Sequence, residues 1–366
     1  MSGLNPGYRR HLSVAAARHC CDSDCGPGVR PAAQMWTLRR KRRMVWRNQH
    51  ETRMSAHKII IDTDPGQDDA VAILFALACP EALEVLALTC VAGNVQLEMT
   101  TRNARRICEL AGRCDLPVHA GCDRPIGRDL VTAEQVHGRS GLDGPDLPEP
   151  LMPVQRVHAV DLIIDTLHRQ PSGSVTLVAI GPLTNIATAF EAAPDIIERV
   201  HEIVLMGGAY AAHGNVTPVA EFNIHVDPQA ADIVVHSGVP LVMLPLDVTH
   251  KVLVTRARNA AFRALGTPVG RAVADLTGFF GRYNAERHGA DAAPLHDPCT
   301  IGWLLRPDLF SARRVNVAIE TQSELTMGMT VVDWWGVSGH AANATFVHDV
   351  DADGFFAFLT DRLARL

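Results

Sequence analysis

Short apolar runs recur along the chain from residue 57, and stretches with a helical repeat lie between them. The apolar runs fall at 59–61, 85–91, 175–180, 203–206 and 241–244. They are continuous rather than alternating, which is typical of parallel strands buried on both faces. The helical stretches fall at 68–79, 96–111, 156–169, 182–192 and 227–236, and 255–290 is expected to form a small helical lobe beside the sheet. This order predicts a doubly wound α/β fold with a mostly parallel sheet flanked by helices.

Residues 1–53 have no sustained apolar period and contain a basic run at 39–43. Three interpretations remain open for this extension. The first is a disordered tail. The second is an organelle transit peptide, which would fit the Arg-rich and acid-poor content. The third is an upstream stretch outside the native chain, with Met54 as the true start. In each case we expect residues 54–366 to form a single catalytic domain.

The composition and charge exclude several classes of protein. The chain has 366 residues, of which 47% are hydrophobic and 20% charged, so it is neither disordered nor a disulfide scaffold. Residues 1–56 carry a net charge of +8 and the remainder carries −14, and an acidic body argues against nucleic-acid binding. The nine Cys have no Cys-x-x-Cys spacing, which favours a reduced, cytoplasmic protein. The apolar span 70–93 is interrupted by Pro80, Glu81 and Glu84, so we predict no membrane segment.

Four carboxylates follow the first apolar run within eight residues: Asp62, Asp64, Asp68 and Asp69. Like charges this close repel one another, and burying them without a counter-ion is costly. A helix N-terminus would account for Asp68 and Asp69 alone. A bound divalent cation accounts for the whole cluster, and carboxylate ligands favour Ca²⁺ or Mg²⁺.

Further polar residues follow the later apolar runs. They include Asn94, the segment 181–185, Gly207 and Gly208, Asn215, the segment 221–223, and the segment 296–298. The carboxyl ends of parallel strands meet at one edge of a sheet, where ligands bind in such folds. We therefore expect these residues to converge on one site.

Several motifs resemble those of the nucleoside hydrolase family, whose members include the inosine-uridine preferring enzymes. They are the Asp-rich opening at 62–70, Val-Ala-Gly-Asn at 91–94, Leu-Met-Gly-Gly at 205–208, Ala-Glu-Phe-Asn at 220–223 and Leu-His-Asp-Pro at 295–298. The resemblance spans roughly residues 57–364. The segments 136–145, 293–303 and 328–333 are similar to the bacterial pyrimidine-specific ribonucleoside hydrolases in particular.

The resemblance implies hydrolysis of the N-glycosidic bond of ribonucleosides to free base and ribose, with one Ca²⁺ as cofactor. It implies that Asp64, Asp69 and Asp297 are side-chain ligands of this ion and that Ile180 contributes its backbone carbonyl. It also implies that Asp64 is the general base and that His296 assists the departing base, although His296 could instead only orient it.

The same resemblance assigns the substrate contacts. Ribose hydroxyls would be held by Asp68, Asn94, Glu221 and Asn223, the 5′-hydroxyl side by Asn215, and the sugar pocket would be lined by Met206 and Phe222. Contacts to the base would come from His137, Tyr283 and His288. Pyrimidine nucleosides are the expected substrates, in nucleoside salvage or catabolism. The alternatives are a purine-preferring or nonspecific hydrolase, or a catalytically inactive nucleoside-binding protein. No nucleic-acid or membrane partner is expected, and the chain is expected to form a homotetramer or homodimer.

Overall fold

The computed structural model describes the backbone of residues 56–288 and 292–366, without the side chains of 283–288. The chain divides into two units, Met1–Met54 and Ser55–Leu366, and every described residue belongs to the second. The basic extension at 1–53 lies outside the described residues, so its three interpretations stay open. The single domain at 54–366 also stays a prediction.

The second unit is built on a large sheet. The strands are β1 (His57–Thr63), β2 (Leu83–Cys90), β3 (Val118–Ala120), β4 (Val175–Ala179), β5 (Val200–Met206), β6 (Leu241–Leu244), β7 (Leu253–Val254), β8 (Ala293–Pro294), β9 (Phe310–Ile319), β10 (Thr330–Asp333) and β11 (Ala344–Val350). Within the described ranges, nine of them form one sheet in the order β10-β9-β11-β6-β5-β4-β1-β2-β3, and β7 pairs with β8. All pairings from β11 to β3 in this order are parallel, whereas β9 and β10 run antiparallel.

Helices cover both faces of this sheet. They are α1 (Gln67–Leu77), α2 (Leu97–Leu110), α3 (Glu134–His137), α4 (Ala159–Arg169), α5 (Thr184–Ala192), α6 (Phe222–Val226), α7 (Pro228–Val235), α8 (Leu246–Thr249), α9 (Arg256–Ala264), α10 (Pro268–His288), α11 (Pro298–Leu305) and α12 (Ala352–Leu363), with 3₁₀ turns at Pro194–Arg199 and Pro307–Leu309. In the described part of the chain, no helix combines the length and the apolar content needed to cross a membrane.

Two hydrophobic cores lie on opposite faces of the sheet, and β1 contributes to both. Ile59 and Ile61 belong to the core that includes α1, and Ile60 belongs to the core that includes α5. Because successive side chains of a strand point to opposite faces, a continuous apolar run suits such a doubly covered strand. Helix α1 is buried at every position, which explains why its sequence is apolar almost all round.

The strand order reverses between β1 and β4. The chain runs from β1 to β2 and β3 on one side, then returns to the other side of β1 with β4, β5 and β6. Ligand sites of doubly wound sheets lie at such a switch point, beyond the carboxyl ends of the strands. Here β1 ends at Thr63 and β4 at Ala179, so Asp64 and Ile180 are the first residues beyond the two strand ends.

The predicted fold class is confirmed, with strand and helix positions within about three residues of those expected. The predicted helical region at 255–290 consists of two helices, α9 and α10, separated at 265–267. The antiparallel edge formed by β9 and β10 was not predicted individually. Strand β9 is largely exposed over its first half, so it lacks the continuous apolar run that identified the central strands.

Candidate active site

A cavity of about 850 Å³ opens at the switch point of the sheet. Twelve of the fifteen site residues expected from the sequence line it: Asp68, Asp69, Asn94, His137, Ile180, Met206, Asn215, Glu221, Phe222, Asn223, His296 and Asp297. Asp64 packs directly behind this lining, with Asn94 against its carboxylate. Tyr283 and His288 belong to the backbone range of α10, but their side chains lie outside the described residues. The expected convergence of strand-end residues is therefore observed.

The floor of the cavity is acidic. Carboxylate oxygens of Asp68, Asp69 and Asp297 lie within 4.8 Å of one another, and all three residues are buried. Asp64 is also fully buried, and its Oδ1 has no hydrogen-bond partner. Among the side chains that the structure describes, no Lys or Arg forms an ion pair with these four carboxylates. A divalent cation with oxygen ligands fits both the unpartnered oxygen and the uncompensated charge.

The group of three carboxylates includes Asp68, to which the family resemblance gave a ribose contact, and does not include Asp64. The Asp64 side chain is turned toward the β2–α2 loop, where its Oδ2 accepts a hydrogen bond of 2.7 Å from the Asn94 backbone N–H. It also lies against Gly93 and Gly181, where a Cβ atom on either glycine would collide with the carboxylate. Both loops approach Asp64 this closely because glycine has no side chain.

Asp69 is fixed by hydrogen bonds at the start of α1. Its Oδ1 accepts a bond of 2.6 Å from the Thr63 hydroxyl, and its Oδ2 accepts one of 3.0 Å from the Gly66 backbone N–H. The Asn94 side-chain amide contacts the same carboxylate at 3.4 Å. The first turn of the helix thus presents Asp69 in one orientation.

Burial raises the pKa values of the acidic groups because it disfavours their charged forms. Burial, followed by the charge of the neighbouring Asp69, raises the pKa of Asp68 to about 7. The pKa of Asp64 and that of Asp297 lie well above their ordinary range, through burial and then through the adjacent carboxylates. In the absence of a cation these groups therefore hold protons that a bound cation would displace.

Glu221 and Asn223 occupy the wall beside the acidic floor. The Glu221 carboxylate caps α6 by accepting bonds from the backbone N–H groups of Gly208, Asn223 and Ile224 at 3.0, 3.0 and 3.2 Å. Burial nevertheless raises the pKa of Glu221 to about 7. The Asn223 side-chain amide donates to the backbone carbonyls of Ile180 and Met206 at 3.1 and 3.2 Å. The ends of β4 and β5 are thereby tied to the start of α6.

Asn215 and Phe222 lie toward the mouth of the cavity. The Asn215 side-chain oxygen accepts a hydrogen bond of 2.9 Å from the Phe222 backbone N–H. This bond holds the exposed 211–216 segment, which lines the cavity, against the start of α6. We call the acidic floor, together with the wall formed by Glu221 and Asn223, the acidic half of the cavity. Its residues are Asp64, Asp68, Asp69, Asp297, Glu221 and Asn223.

The opposite side of the cavity carries rings instead of carboxylates. His137, His250, Phe280 and His296 line it and form what we call the aromatic half. The rings of His137 and Phe280 stack with their centroids 6.0 Å apart, and the Phe280 ring meets the His296 ring edge-on at 6.5 Å. Burial lowers the pKa of His137 to about 4 and, together with the nearby His250, the pKa of His296 to about 3. Both imidazoles are therefore neutral near pH 7.

His137 is held in place by Gln67, a residue that the sequence analysis did not single out. The Gln67 side-chain oxygen lies 2.6 Å from His137 Nδ1, and its amide donates to the backbone carbonyls of His137 and Asp143 at 2.9 and 3.0 Å. A glutamine beside the carboxylate cluster, at the start of an apolar helical stretch, was the available signal, because once buried such a side chain requires partners for both of its polar atoms.

His250 and Phe280 also line the cavity without having been predicted. His250 directly follows Thr249, the last residue of α8, and lies a few residues beyond the end of β6. With Asp247 and Thr249 it forms another group of polar residues after a strand, which is the pattern that indicated the other site residues. Phe280 lies on α10, and a single aromatic residue on an amphipathic helix is far more often core than site. No sequence signal distinguished Phe280.

Comparison with known proteins places the chain in a family. The family model described as inosine-uridine preferring nucleoside hydrolase matches residues 59–357. An uncharacterised protein of Schizosaccharomyces pombe is 54% identical over 309 residues, covering 84% of this chain and 99% of that protein. The pyrimidine-specific ribonucleoside hydrolase RihA of Citrobacter koseri is 50% identical over 307 residues, covering 84% of this chain and 97% of that enzyme.

Solved structures agree with this placement. The purine-preferring ribonucleoside hydrolase from Gardnerella vaginalis superimposes with a TM-score of 0.79 at 33% identity, covering 84% of this chain and 98% of that one. The family match, the relatives and the fold together show that the chain belongs to the nucleoside hydrolase family and is an N-glycosyl hydrolase of ribonucleosides.

Proposed function

We propose that this enzyme hydrolyses pyrimidine ribonucleosides, uridine and cytidine, with one Ca²⁺ ion as cofactor. The observation that carries the metal is the acidic half of the cavity, with three carboxylates within 4.8 Å and a fourth whose buried oxygen has no partner. The pyrimidine preference is supported by the 50% identity to a pyrimidine-specific relative, compared with 33% to a purine-preferring one.

Asp64, Asp69 and Asp297 would hold the ion with the backbone carbonyl of Ile180. All four contribute oxygen, as a hard cation such as Ca²⁺ requires. When bound, the ion supplies a positive charge that anchors ribose hydroxyls and lowers the pKa of a water molecule. Asp68 lies among these carboxylates and extends the same acidic surface toward the sugar.

The ribose would be held by side chains that the backbone already orients. Asp68, Asn94, Glu221 and Asn223 face the cavity and accept or donate hydrogen bonds to the 2′- and 3′-hydroxyls. Asn215 contacts the 5′-hydroxyl side, and Met206 and Phe222 pack against the sugar. Such positioning makes attack by a bound water close to intramolecular.

The chemistry requires breaking the bond between C1′ of ribose and the base nitrogen. Asp64 removes a proton from the attacking water, whose oxygen forms the new bond to C1′. The electron pair of the broken bond leaves with the base, and the neutral His296 imidazole assists it by donating a hydrogen bond from its ring N–H. The base takes up its proton from water. The buried carboxylates stabilise the positive charge that develops on the sugar, as in other glycoside hydrolyses.

The metal is tested by chelation and replacement. Uracil and ribose release from uridine should stop after exhaustive chelation and return with Ca²⁺ but not with Mg²⁺, because Mg²⁺ requires a smaller, octahedral site. Elemental analysis should find one Ca²⁺ per chain, and Asp297→Asn should lower this content. Full activity of a protein shown to be metal-free would contradict the proposal.

We further propose a cytoplasmic enzyme of nucleoside salvage or catabolism. The support is chemical: six cysteines of the described residues are free thiols and four of these are buried, as is typical of proteins from a reducing compartment. The homodimer or homotetramer stays a prediction, which light scattering of the purified protein would test.

A further inference from the structure

The Thr249 side chain makes a hydrogen bond to the imidazole of His296. Its hydroxyl oxygen lies 2.8 Å from Nδ1 of His296, and both residues are buried. Thr249 is the last residue of the short helix α8, which follows β6. It does not line the cavity itself. Its hydroxyl can therefore act on a substrate only through the imidazole.

The His296 ring is held from three directions. Thr249 occupies Nδ1, the His250 ring lies 5.7 Å away at a tilt of 59°, and the Phe280 ring meets it edge-on. With Nδ1 occupied, Nε2 is the ring nitrogen that remains for the cavity. In a neutral imidazole one nitrogen carries the proton and the other accepts, and the hydrogen bond at one nitrogen selects which.

We propose that Thr249 is a positioning residue that sets the orientation and the tautomer of His296. The Thr249 hydroxyl donates to Nδ1, which keeps the ring proton on Nε2, directed at the departing base. This inference rests on the proposed role of His296 in assisting the base. With the opposite tautomer, Nε2 would present a lone pair to the base and could donate nothing.

The backbone fixes Thr249 beside His296 independently of this hydrogen bond. Val252 N–H donates to the Thr249 carbonyl at 3.0 Å, and Leu295 N–H donates to the Val252 carbonyl at 2.8 Å. Thr249 N–H itself donates to the Pro245 carbonyl at 3.1 Å. Replacing the hydroxyl therefore leaves the two segments joined, so a variant at 249 is expected to fold.

The test compares two leaving groups. Uracil needs a hydrogen-bond donor as the bond to C1′ breaks, whereas p-nitrophenolate, released from p-nitrophenyl ribofuranoside, leaves as a stable anion. Thr249→Val should lower kcat for uridine by about 30-fold with KM changed less than about threefold, because a displaced hydrogen-bond donor loses part of its effect. Activity on p-nitrophenyl ribofuranoside should change less than about threefold, and Thr249→Ser should restore uridine turnover to within about threefold of wild type.

His296→Ala is the reference variant, and it should show the same difference between the two substrates to a larger extent. An equal loss by Thr249→Val on both substrates, or no loss on either, would overturn the positioning role while leaving that of His296 intact. If His296→Ala reduces both substrates equally, the proposed role of His296 is itself wrong, and that of Thr249 fails with it.

Discussion

The two halves of the cavity are built in different ways. In the acidic half, Asp64, Asp69 and Glu221 are held by backbone N–H groups at strand ends and helix starts. In the aromatic half, His137 and His296 are held by other side chains, Gln67 and Thr249, and by the Phe280 ring. Backbone contacts follow from the fold, whereas side-chain contacts depend on a few individual residues. The acidic half therefore suits chemistry common to all ribonucleosides, and the aromatic half suits selection of the base.

The largest loss of activity should come from Asp64→Asn. This change keeps the shape and the acceptor for the Asn94 backbone N–H but removes the charge. We expect kcat/KM for uridine to fall about 10⁴-fold, since both proton removal and cation binding would suffer.

Asp62→Asn is the matched control for this change. Asp62 is equally buried, but its carboxylate accepts bonds from Thr89 and Asn185, behind the cavity. The Asp62→Asn change should therefore lower kcat/KM by less than about tenfold. If a folded Asp64→Asn variant keeps the wild-type kcat, Asp64 is not the base.

Glu221 gives the acidic half a pH-dependent stability in the metal-free enzyme. Its pKa is about 7 in the folded protein, compared with 4.5 ordinarily. Between these values the folded state retains a proton that the unfolded chain has lost, so stability falls as pH rises through this range. The full loss is about 3 kcal/mol.

The measurement is chemical unfolding of the chelated wild type and of Glu221→Gln at pH 5 and pH 7. The variant lacks this titration, so wild type should lose stability relative to it as pH rises. A relative gain by wild type over the same interval would show that the Glu221 pKa is lowered by folding.

Phe280→Ala should change the selectivity for the base and leave the binding of the ribose unchanged. Removing this ring enlarges the aromatic half and releases the faces against which His137 and His296 pack. We expect kcat/KM for uridine to fall about tenfold while the ratio of uridine to inosine activity narrows. Phe279→Ala on the same helix is the control, because Phe279 does not line the cavity. An unchanged ratio in Phe280→Ala would remove Phe280 from base selection.

The smallest effect should come from starting the chain at Met54. Both halves are built from residues beyond 56, so the shortened protein should have kcat/KM within about threefold of the full chain. A loss of tenfold or more in steady-state assays would show that residues 1–53 contribute to the working enzyme.

The difference between the halves also explains how far the sequence could predict the site. Asp64 and Asn94 lie within four residues of the ends of β1 and β2, so the periodicity that located the strands also placed these residues at the site, whereas the roles of Ile180 and Glu221 came from the family resemblance. Gln67 and Thr249 contact His137 and His296, which are distant from them in sequence, and Phe280 contributes its ring from a long helix. Nothing in local spacing records which residues these side chains meet, so the contacts that hold His137 and His296 emerge only from the tertiary arrangement.

Steady-state kinetics with uridine and inosine test the central claim most directly. Both nucleosides present the same ribose to the acidic half, so any difference in kcat/KM arises from the base. The account predicts a preference for uridine of about 100-fold or more, corresponding to about 3 kcal/mol. Equal or faster hydrolysis of inosine would contradict the pyrimidine assignment, while the assignment to the nucleoside hydrolase family would still hold.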